Sequence, residues 1–153
     1  MELQPLLVPE EEGKAQPEKI MQPAVVSGYD GFGGVHDNIV WNQAEGWMVY
    51  TLHNKVIFEN VKSREQTVLC ESASQLSTIV LSADKRMLAV AEGRPNSKTG
   101  NSLIYLYDTQ DRKLIQRYTF HQRGVQSLAF SNNGQHLISL GVQGENNLAI
   151  WDL

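Results

Sequence analysis

Short apolar runs separated by polar clusters make up the chain from about residue 25 onward. The runs are rich in β-branched residues, and the clusters between them contain Asn, Asp, Gly, Ser and Lys. β-branched residues favour strands and these polar residues favour turns, whereas no long stretch repeats with the period of a helix. The pattern therefore predicts an all-β fold. Residues 1–24 are rich in Glu, Gln, Pro and Lys without periodicity, which predicts a disordered N-terminal arm.

An internal repeat underlies this pattern. Three segments each contain an apolar run, a polar turn and a second apolar run, and they span residues 38–52, 78–92 and 127–141. Two apolar positions lie seven residues apart across each turn: Trp41 and Met48, Leu81 and Leu88, and Phe130 and Leu137. A constant spacing around a turn predicts that the same antiparallel strand pair occurs three times.

A third strand is predicted after each pair, in the sequences KVIFENV (55–61), LIYLYDT (103–109) and NLAIWDL (147–153). A polar residue recurs near the end of each, at Asn60, Asp108 and Asp152. Another short apolar run follows the first two, at 65–69 and 113–120. The repeating unit is therefore four antiparallel strands, with boundaries predicted at about 25–69, 70–118 and 119–153. The third unit has three of its four strands.

A four-stranded repeat of this length resembles the blades of WD-repeat β-propellers, over about residues 25–153. In that family a Trp on the third strand, a Ser or Thr on the second and a His in the entering loop form a hydrogen-bond network. The resemblance implies a structural network in the third repeat, formed by His121, Ser139, Trp151 and Asp152. Asn146 or Asn147 stands in the turn where the family has Asp, and the first two repeats have Glu59 and Tyr107 in place of the Trp.

The segment 28–61 resembles the opening of the propeller in echinoderm-microtubule-associated-protein-like proteins and in related centriolar and flagellar WD-repeat proteins. The matching residues are Gly28, Tyr29, Gly31, Asn38, Gly46, Tyr50 and Val56. The resemblance implies a non-enzymatic protein-interaction scaffold associated with microtubules, centrioles or cilia, with tubulin or ciliary and centriolar components as partners and no cofactor. The alternative is a general cytosolic or nuclear signalling or assembly adaptor with the same fold.

A propeller needs about 4 to 8 blades that bury one another's faces. Two blades and part of a third would leave apolar faces and strand edges open. We therefore expect the remaining blades to come from a longer parent chain, or alternatively from another copy or another chain. The run PAVVSG at 23–28 is the candidate for a strand that closes the ring.

Composition limits the class of protein, the partners and the cellular compartment that we expect. Hydrophobic residues make up 41% and charged residues 20% of the 153 residues, as is typical of a globular protein. No apolar run reaches the ~18 residues of a membrane-spanning helix, so no membrane partner is expected. The net charge of −4 argues against nucleic acid as a partner. Cys70 is the only cysteine, so no internal disulfide can form and a reducing, cytoplasmic setting is expected.

No motif for catalysis or metal binding stands out in the sequence. GYDGFGG has a His where a dinucleotide loop needs its third glycine, and the four histidines have no His or Cys partners at metal-binding spacing. We therefore expect no catalytic residue, cofactor or metal. Arg94 and Lys98 lie in the long loop 93–102 and are candidates for contact with an acidic partner. The aromatic residues expected to supply core packing are Trp41, Trp47, Tyr50, Phe58, Tyr105, Phe130 and Trp151.

Overall fold

The computed structural model describes residues 37–153, so the predicted arm at 1–24 and the candidate strand at 23–28 lie outside the described residues. Within 37–153 the secondary structure consists of eleven antiparallel strands in three sheets, which confirms the predicted all-β class. The strands are β1 Ile39–Asn42, β2 Trp47–Leu52, β3 Lys55–Asn60, β4 Gln66–Glu71, β5 Leu76–Leu81, β6 Met87–Glu92, β7 Leu103–Asp108, β8 Leu114–Thr119, β9 Val125–Phe130, β10 His136–Gly141 and β11 Leu148–Asp152.

Each sheet is a simple meander in which consecutive strands pair. The sheet orders are β1-β2-β3-β4, β5-β6-β7-β8 and β9-β10-β11. The seven-residue spacing of the sequence repeat is the register itself, because Trp41 pairs with Met48, Leu81 with Leu88 and Phe130 with Leu137. A tight turn between antiparallel strands sets which residues lie opposite each other, so a constant spacing produces a constant register.

In the first two sheets the polar residue at the end of the third strand caps the next turn. The Asn60 side-chain oxygen accepts hydrogen bonds from the amides of Lys62 and Ser63, both at 3.0 Å. Asp108 does the same with the amides of Gln110 and Asp111, at 2.7 and 2.8 Å. Short Asn and Asp side chains stabilise turns in this way because they mimic a backbone acceptor. Local turn chemistry therefore explains the polar residue at this position in the first two repeats.

A hydrophobic core fills the space between the first and second sheets. Its buried members are Trp47, Val49, Val56, Phe58, Leu76, Ile79, Leu88, Val90, Tyr105 and Tyr107. The ring centroids of Trp47 and Phe58 lie 5.0 Å apart. The guanidinium of Arg112, from the β7–β8 turn of the second sheet, lies 4.1 Å from the Phe58 centroid in the first sheet. This cation–π contact closes one end of the seam between the two sheets.

A second core fills the space between the second and third sheets. Its buried members are Ala89, Ala91, Ile104, Leu106, Val125, Leu128 and Leu137. β6 supplies Ala89 and Ala91 to this core and Leu88 and Val90 to the other. Successive side chains of a strand point to opposite faces, so β6 is apolar on both faces because both faces are covered. The Ser77 hydroxyl also donates to the Val125 carbonyl oxygen at 2.6 Å and ties β5 to β9.

The outward faces of the first and third sheets expose large apolar residues. Trp41 is 59% exposed, so the prediction that it packs in the core is wrong, although Trp47, Tyr50, Phe58 and Tyr105 are buried as expected. Trp41 lies on the face opposite its neighbour Val40, which packs against the first core. On the third sheet Ile150 is 63% exposed. Both faces lack a covering sheet within the described residues.

Gly124 marks a close backbone approach between the second and third sheets. Its φ is +140°, and a Cβ atom there would lie 2.2 Å from the carbonyl oxygen of Gly93. Gly46 also has a positive φ, +74°, but a Cβ atom there would meet nothing within 4 Å. Replacing Gly46 therefore tests backbone strain alone. Replacing Gly124 tests strain together with a steric clash between the second and third sheets.

We expect Gly124→Ala to lower the free energy of unfolding by roughly 3 kcal/mol or more, because strain and clash add. Gly46→Ala should cost about 1–2 kcal/mol from strain alone. Urea denaturation of both variants beside the parent chain measures the difference. Equal losses for the two variants would contradict the close approach at the seam.

Candidate functional site

A buried chain of hydrogen bonds crosses the third sheet. Trp151 Nε1 donates to Ser139 Oγ at 3.0 Å, and Ser139 Oγ lies 2.8 Å from His121 Nε2. His121 Nδ1 lies 2.8 Å from the Asn147 side-chain oxygen, and the Asn147 amide donates to Glu145 Oε1 at 3.0 Å. A neutral imidazole with its proton on Nδ1 satisfies each donor and acceptor in this chain. The structure thus brings together three of the sequence-predicted residues and selects Asn147 for the turn position.

Glu145 is the member of this network that sequence reasoning missed. Its side chain is 7% exposed, and its carboxylate accepts hydrogen bonds from the amides of Gln122 and Arg123 at 2.8 and 3.0 Å. Burial by itself raises the pKa of this carboxyl, but hydrogen bonds from Asn147, Gln122 and Arg123 outweigh it and hold the pKa below its usual value. The signal in the sequence was an acidic residue two positions before the turn Asn.

Asp152 and Asn146 lie apart from this chain of bonds. Asp152 ends β11, is 95% exposed and has its Oδ1 3.2 Å from His136 Nε2. Asn146 has a positive φ of 50°, as the turn requires, and its side chain is exposed. Asn tolerates this left-handed conformation better than most residues, so Asn146 shapes the turn whereas Asn147 provides the hydrogen bond.

The second sheet has a different network in the corresponding place. Glu92 is completely buried and accepts hydrogen bonds from the Ser72 hydroxyl, from Tyr105 Oη at 3.0 Å, from the Asn96 amide at 3.2 Å and from the Leu103 backbone N–H at 2.8 Å. Burial and the adjacent Glu92 carboxylate raise the pKa of Tyr105 to about 12, so its hydroxyl remains a donor. Four neutral donors thus satisfy one buried carboxylate.

The first sheet uses a third solution. Glu59 occupies the position of Trp151 and is 2% exposed, while Tyr50 occupies the position of Ser139. Tyr50 Oη, Gln66 Nε2 and Arg64 Nη1 donate to the Glu59 carboxylate at 3.1, 2.9 and 3.1 Å. Burial raises the pKa of Glu59, but these three donors and the Arg64 charge lower it below its usual value. Each sheet therefore buries a polar group and pairs it completely in its own way.

Arg94 and Lys98, the predicted partner-contact residues, lie in the loop between β6 and β7 and are exposed. Asn96 between them is 5% exposed and organises the loop. Its side-chain oxygen accepts the amide of Lys98 at 2.9 Å, and its carbonyl oxygen accepts the amide of Gly100 at 2.8 Å. Its side-chain amide is held by Glu92. The loop therefore rests on the buried network of the second sheet.

Two further observations concern the described part of the chain. Residues 37–153 contain no group of three or more His, Cys, Asp or Glu side chains that could hold a metal ion. They also contain no helix long and apolar enough to cross a membrane.

Known proteins with similar sequence or structure identify the fold. The Xenopus tropicalis protein "WD repeat-containing protein 90" is 32% identical over 126 residues, which make up 81% of this chain and 6% of that protein. The Chlamydomonas reinhardtii "Cilia- and flagella-associated protein 52" is 30% identical over 134 residues, 86% of this chain and 22% of that protein. The solved structure of the RRP9 WD40 repeats matches with a TM-score of 0.62 over 75% of this chain and 34% of that chain, at 18% identity.

The three sheets are WD-repeat blades. The chain spans only a small part of the length of these curated relatives, 6% of one and 22% of the other. No protein-family model matches the sequence. The predicted WD-repeat fold is confirmed, and so is the resemblance to flagellar WD-repeat proteins, whereas the closer resemblance to echinoderm-microtubule-associated-protein-like proteins stays a prediction.

The third-blade network makes a prediction about energetic coupling. Ser139→Ala should lower the free energy of unfolding by about 1–3 kcal/mol, because the buried His121 ring and the Trp151 N–H both lose their partner. Trp151→Phe removes the Nε1–H donor of that hydrogen bond and keeps most of the aromatic surface. The double variant should therefore lose less than the sum of the two single losses, by roughly 0.5–3 kcal/mol. Denaturant unfolding of the four proteins measures this cycle, with Ser127→Ala at an exposed position of β9 as the control. Strict additivity would argue against the bond.

The lowered pKa of Glu145 makes a prediction about pH. A carboxyl with a lowered folded-state pKa adds stability above its unfolded-state value, and that stability is lost as the pH falls through the folded-state pKa. Glu145→Gln should therefore be less stable than the parent near neutral pH, and the gap should close as the pH falls below the usual value of 4.5. Thermal unfolding from pH 7 downward tests this, with exposed Glu65→Gln as the control. A gap that stays constant with pH would refute the assignment.

Proposed function

We propose that this chain is part of a non-enzymatic protein-interaction scaffold that associates with the microtubule-based structures of cilia or centrioles. The observation that carries the proposal is the similarity to a cilia- and flagella-associated WD-repeat protein across 86% of the chain. A match over most of the chain includes the loops as well as the strands, and loops are where function resides in such folds.

The state of the buried acids supports a role without chemistry. The side chains of Glu59, Glu92 and Glu145 are buried, and each carboxylate is engaged by donors from the protein itself. A general acid or base must instead face an open cleft within hydrogen-bond reach of a substrate. These carboxylates stabilise loops and strands, which favours a scaffold over an enzyme.

The rigidity of the stack supports display of partner-binding loops. The second blade is buried on both faces, and the loops at one of its ends are anchored by hydrogen bonds to the neighbouring blades. Loops held by a rigid β scaffold keep a fixed shape and bind partners with a small entropic cost. A general signalling adaptor would display its loops in the same way. The two proposals differ in where the protein localises in the cell.

Localisation in ciliated cells tests the proposal. We expect the endogenous protein, tagged at its N-terminus, to concentrate on centrioles, basal bodies or axonemes, with the tag alone as the control. Pelleting with purified microtubules should then recover it above the level of a tubulin-free sample. Uniform cytosolic or nuclear signal would reject the ciliary proposal and favour the general adaptor.

A further inference from the structure

The loops at one end of the second and third blades expose positive charges. We define the entry-loop face as the loops 72–75, 93–102, 120–124 and 142–147. Its exposed charged side chains are Arg94, Lys98 and Arg123, whereas its one carboxylate, Glu145, is 7% exposed and fully bonded. The exposed charges within these four loops are therefore all positive, which favours an acidic ligand there.

Hydrogen bonds join these loops into one continuous surface. The Gly93 amide donates to the Gln75 carbonyl oxygen at 2.8 Å, and the Ser74 hydroxyl donates to the Arg94 carbonyl oxygen at 2.9 Å. The Ser102 amide donates to the His121 carbonyl oxygen at 2.7 Å. The loop that contains Arg94 and Lys98 is thus tied to both of its neighbours on the face.

Asn96 fixes the internal shape of the 93–102 loop. Its amide N–H donates to the Asn101 carbonyl oxygen at 3.0 Å, while its carbonyl oxygen accepts the amides of Thr99 and Gly100 at 3.2 and 2.8 Å. Glu92 holds the loop at its middle and at its exit into β7, because it bonds the Asn96 side chain and the Leu103 N–H. A loop already held in one conformation loses little entropy when it binds.

We propose that the 93–102 loop is a preformed docking element for an acidic polypeptide segment, with Arg94 and Lys98 as contacts and Glu92 and Asn96 as positioning residues. The inference rests on the proposed scaffold function and names the chemistry of one partner surface. An acidic polypeptide fits better than nucleic acid, because three exposed cations in these loops are few for a dense phosphate backbone. Phe120, 48% exposed on the same face, offers apolar contact that a peptide can use.

Fluorescence anisotropy with a labelled poly-glutamate peptide tests the contacts on the whole 153-residue chain. The parent protein should bind, and binding should weaken as salt is added. The double reversal Arg94→Glu with Lys98→Glu should weaken binding about tenfold or more and flatten the salt dependence, since two attractions become repulsions. Lys62→Glu with Arg86→Glu reverses two exposed charges at the opposite end of the blades and should bind as the parent does. Equal weakening in both double variants would overturn the site.

Asn96→Ala tests the positioning role. It leaves every charge in place, so we expect several-fold weaker binding with an unchanged salt dependence, and faster amide hydrogen exchange at Lys98 and Gly100. Ser97→Ala, an exposed neighbour in the same loop, is the matched control and should change neither quantity. Parental affinity in Asn96→Ala, despite faster exchange, would reject preorganisation as the source of binding.

Two further outcomes separate this inference from the proposed function. Tighter binding of polyuridylate RNA than of poly-glutamate, or no binding of the peptide at low salt, would overturn the acidic-polypeptide assignment. A protein that fails to bind the peptide but concentrates on centrioles or axonemes would leave the scaffold proposal standing. A protein that binds the peptide but is diffuse in the cell would reject the ciliary role and keep the docking element.

Discussion

Burial of both faces of a four-stranded sheet is the constraint on which the rest of this structure depends. In the second blade, Leu88 and Val90 pack to one side and Ala89 and Ala91 to the other, and all four are 0–1% exposed. A sheet cannot bury two faces alone, so each blade takes its stability from its neighbours. The exposed Trp41 and Ile150 on the outward faces of the first and third blades show how much apolar surface a neighbour would otherwise remove from water.

Each blade pairs its buried polar groups differently, and the second and third blades exchange the positions of a large and a small residue. The third blade has His121 in its entering loop and Gly141 at the end of its second strand, where a Cβ atom would lie 3.0 Å from His121 Nδ1. The second blade has Ser72 and Glu92 in these two places, so the large polar side chain comes from the strand instead. In either arrangement one large polar side chain occupies this space and forms hydrogen bonds there, because an unpaired buried polar group would be costly.

This exchange also links the interior to the surface. In the second blade the large residue is Glu92, and its carboxylate reaches Asn96 and the start of β7 at Leu103. The loop that displays Arg94 and Lys98 is therefore shaped by a core residue. A scaffold gains specificity when its contact loops are held in place by buried, fully satisfied groups, because the bound shape then exists before the partner arrives.

The sequence by itself determined the strands, their register and the turns. The seven-residue spacing sets the Trp41–Met48 pair and its two counterparts, and Asn60 and Asp108 cap turns of their own segment. These features are local, so a few neighbouring residues suffice to specify them. The resemblance also named Trp151, Ser139 and His121, because the spacing of the WD-repeat motif places them in one blade.

Only the tertiary structure decided which groups meet across the chain. It selected Asn147 over Asn146, added Glu145 to the network, and paired Glu92 with Ser72, which lies 20 residues earlier. It also left Trp41 exposed while burying Trp47, although the two look alike in a strand pattern. The physical reason is that burial and hydrogen-bond partnership depend on which sheet covers which face, and that is a property of the stacked blades and not of any one segment.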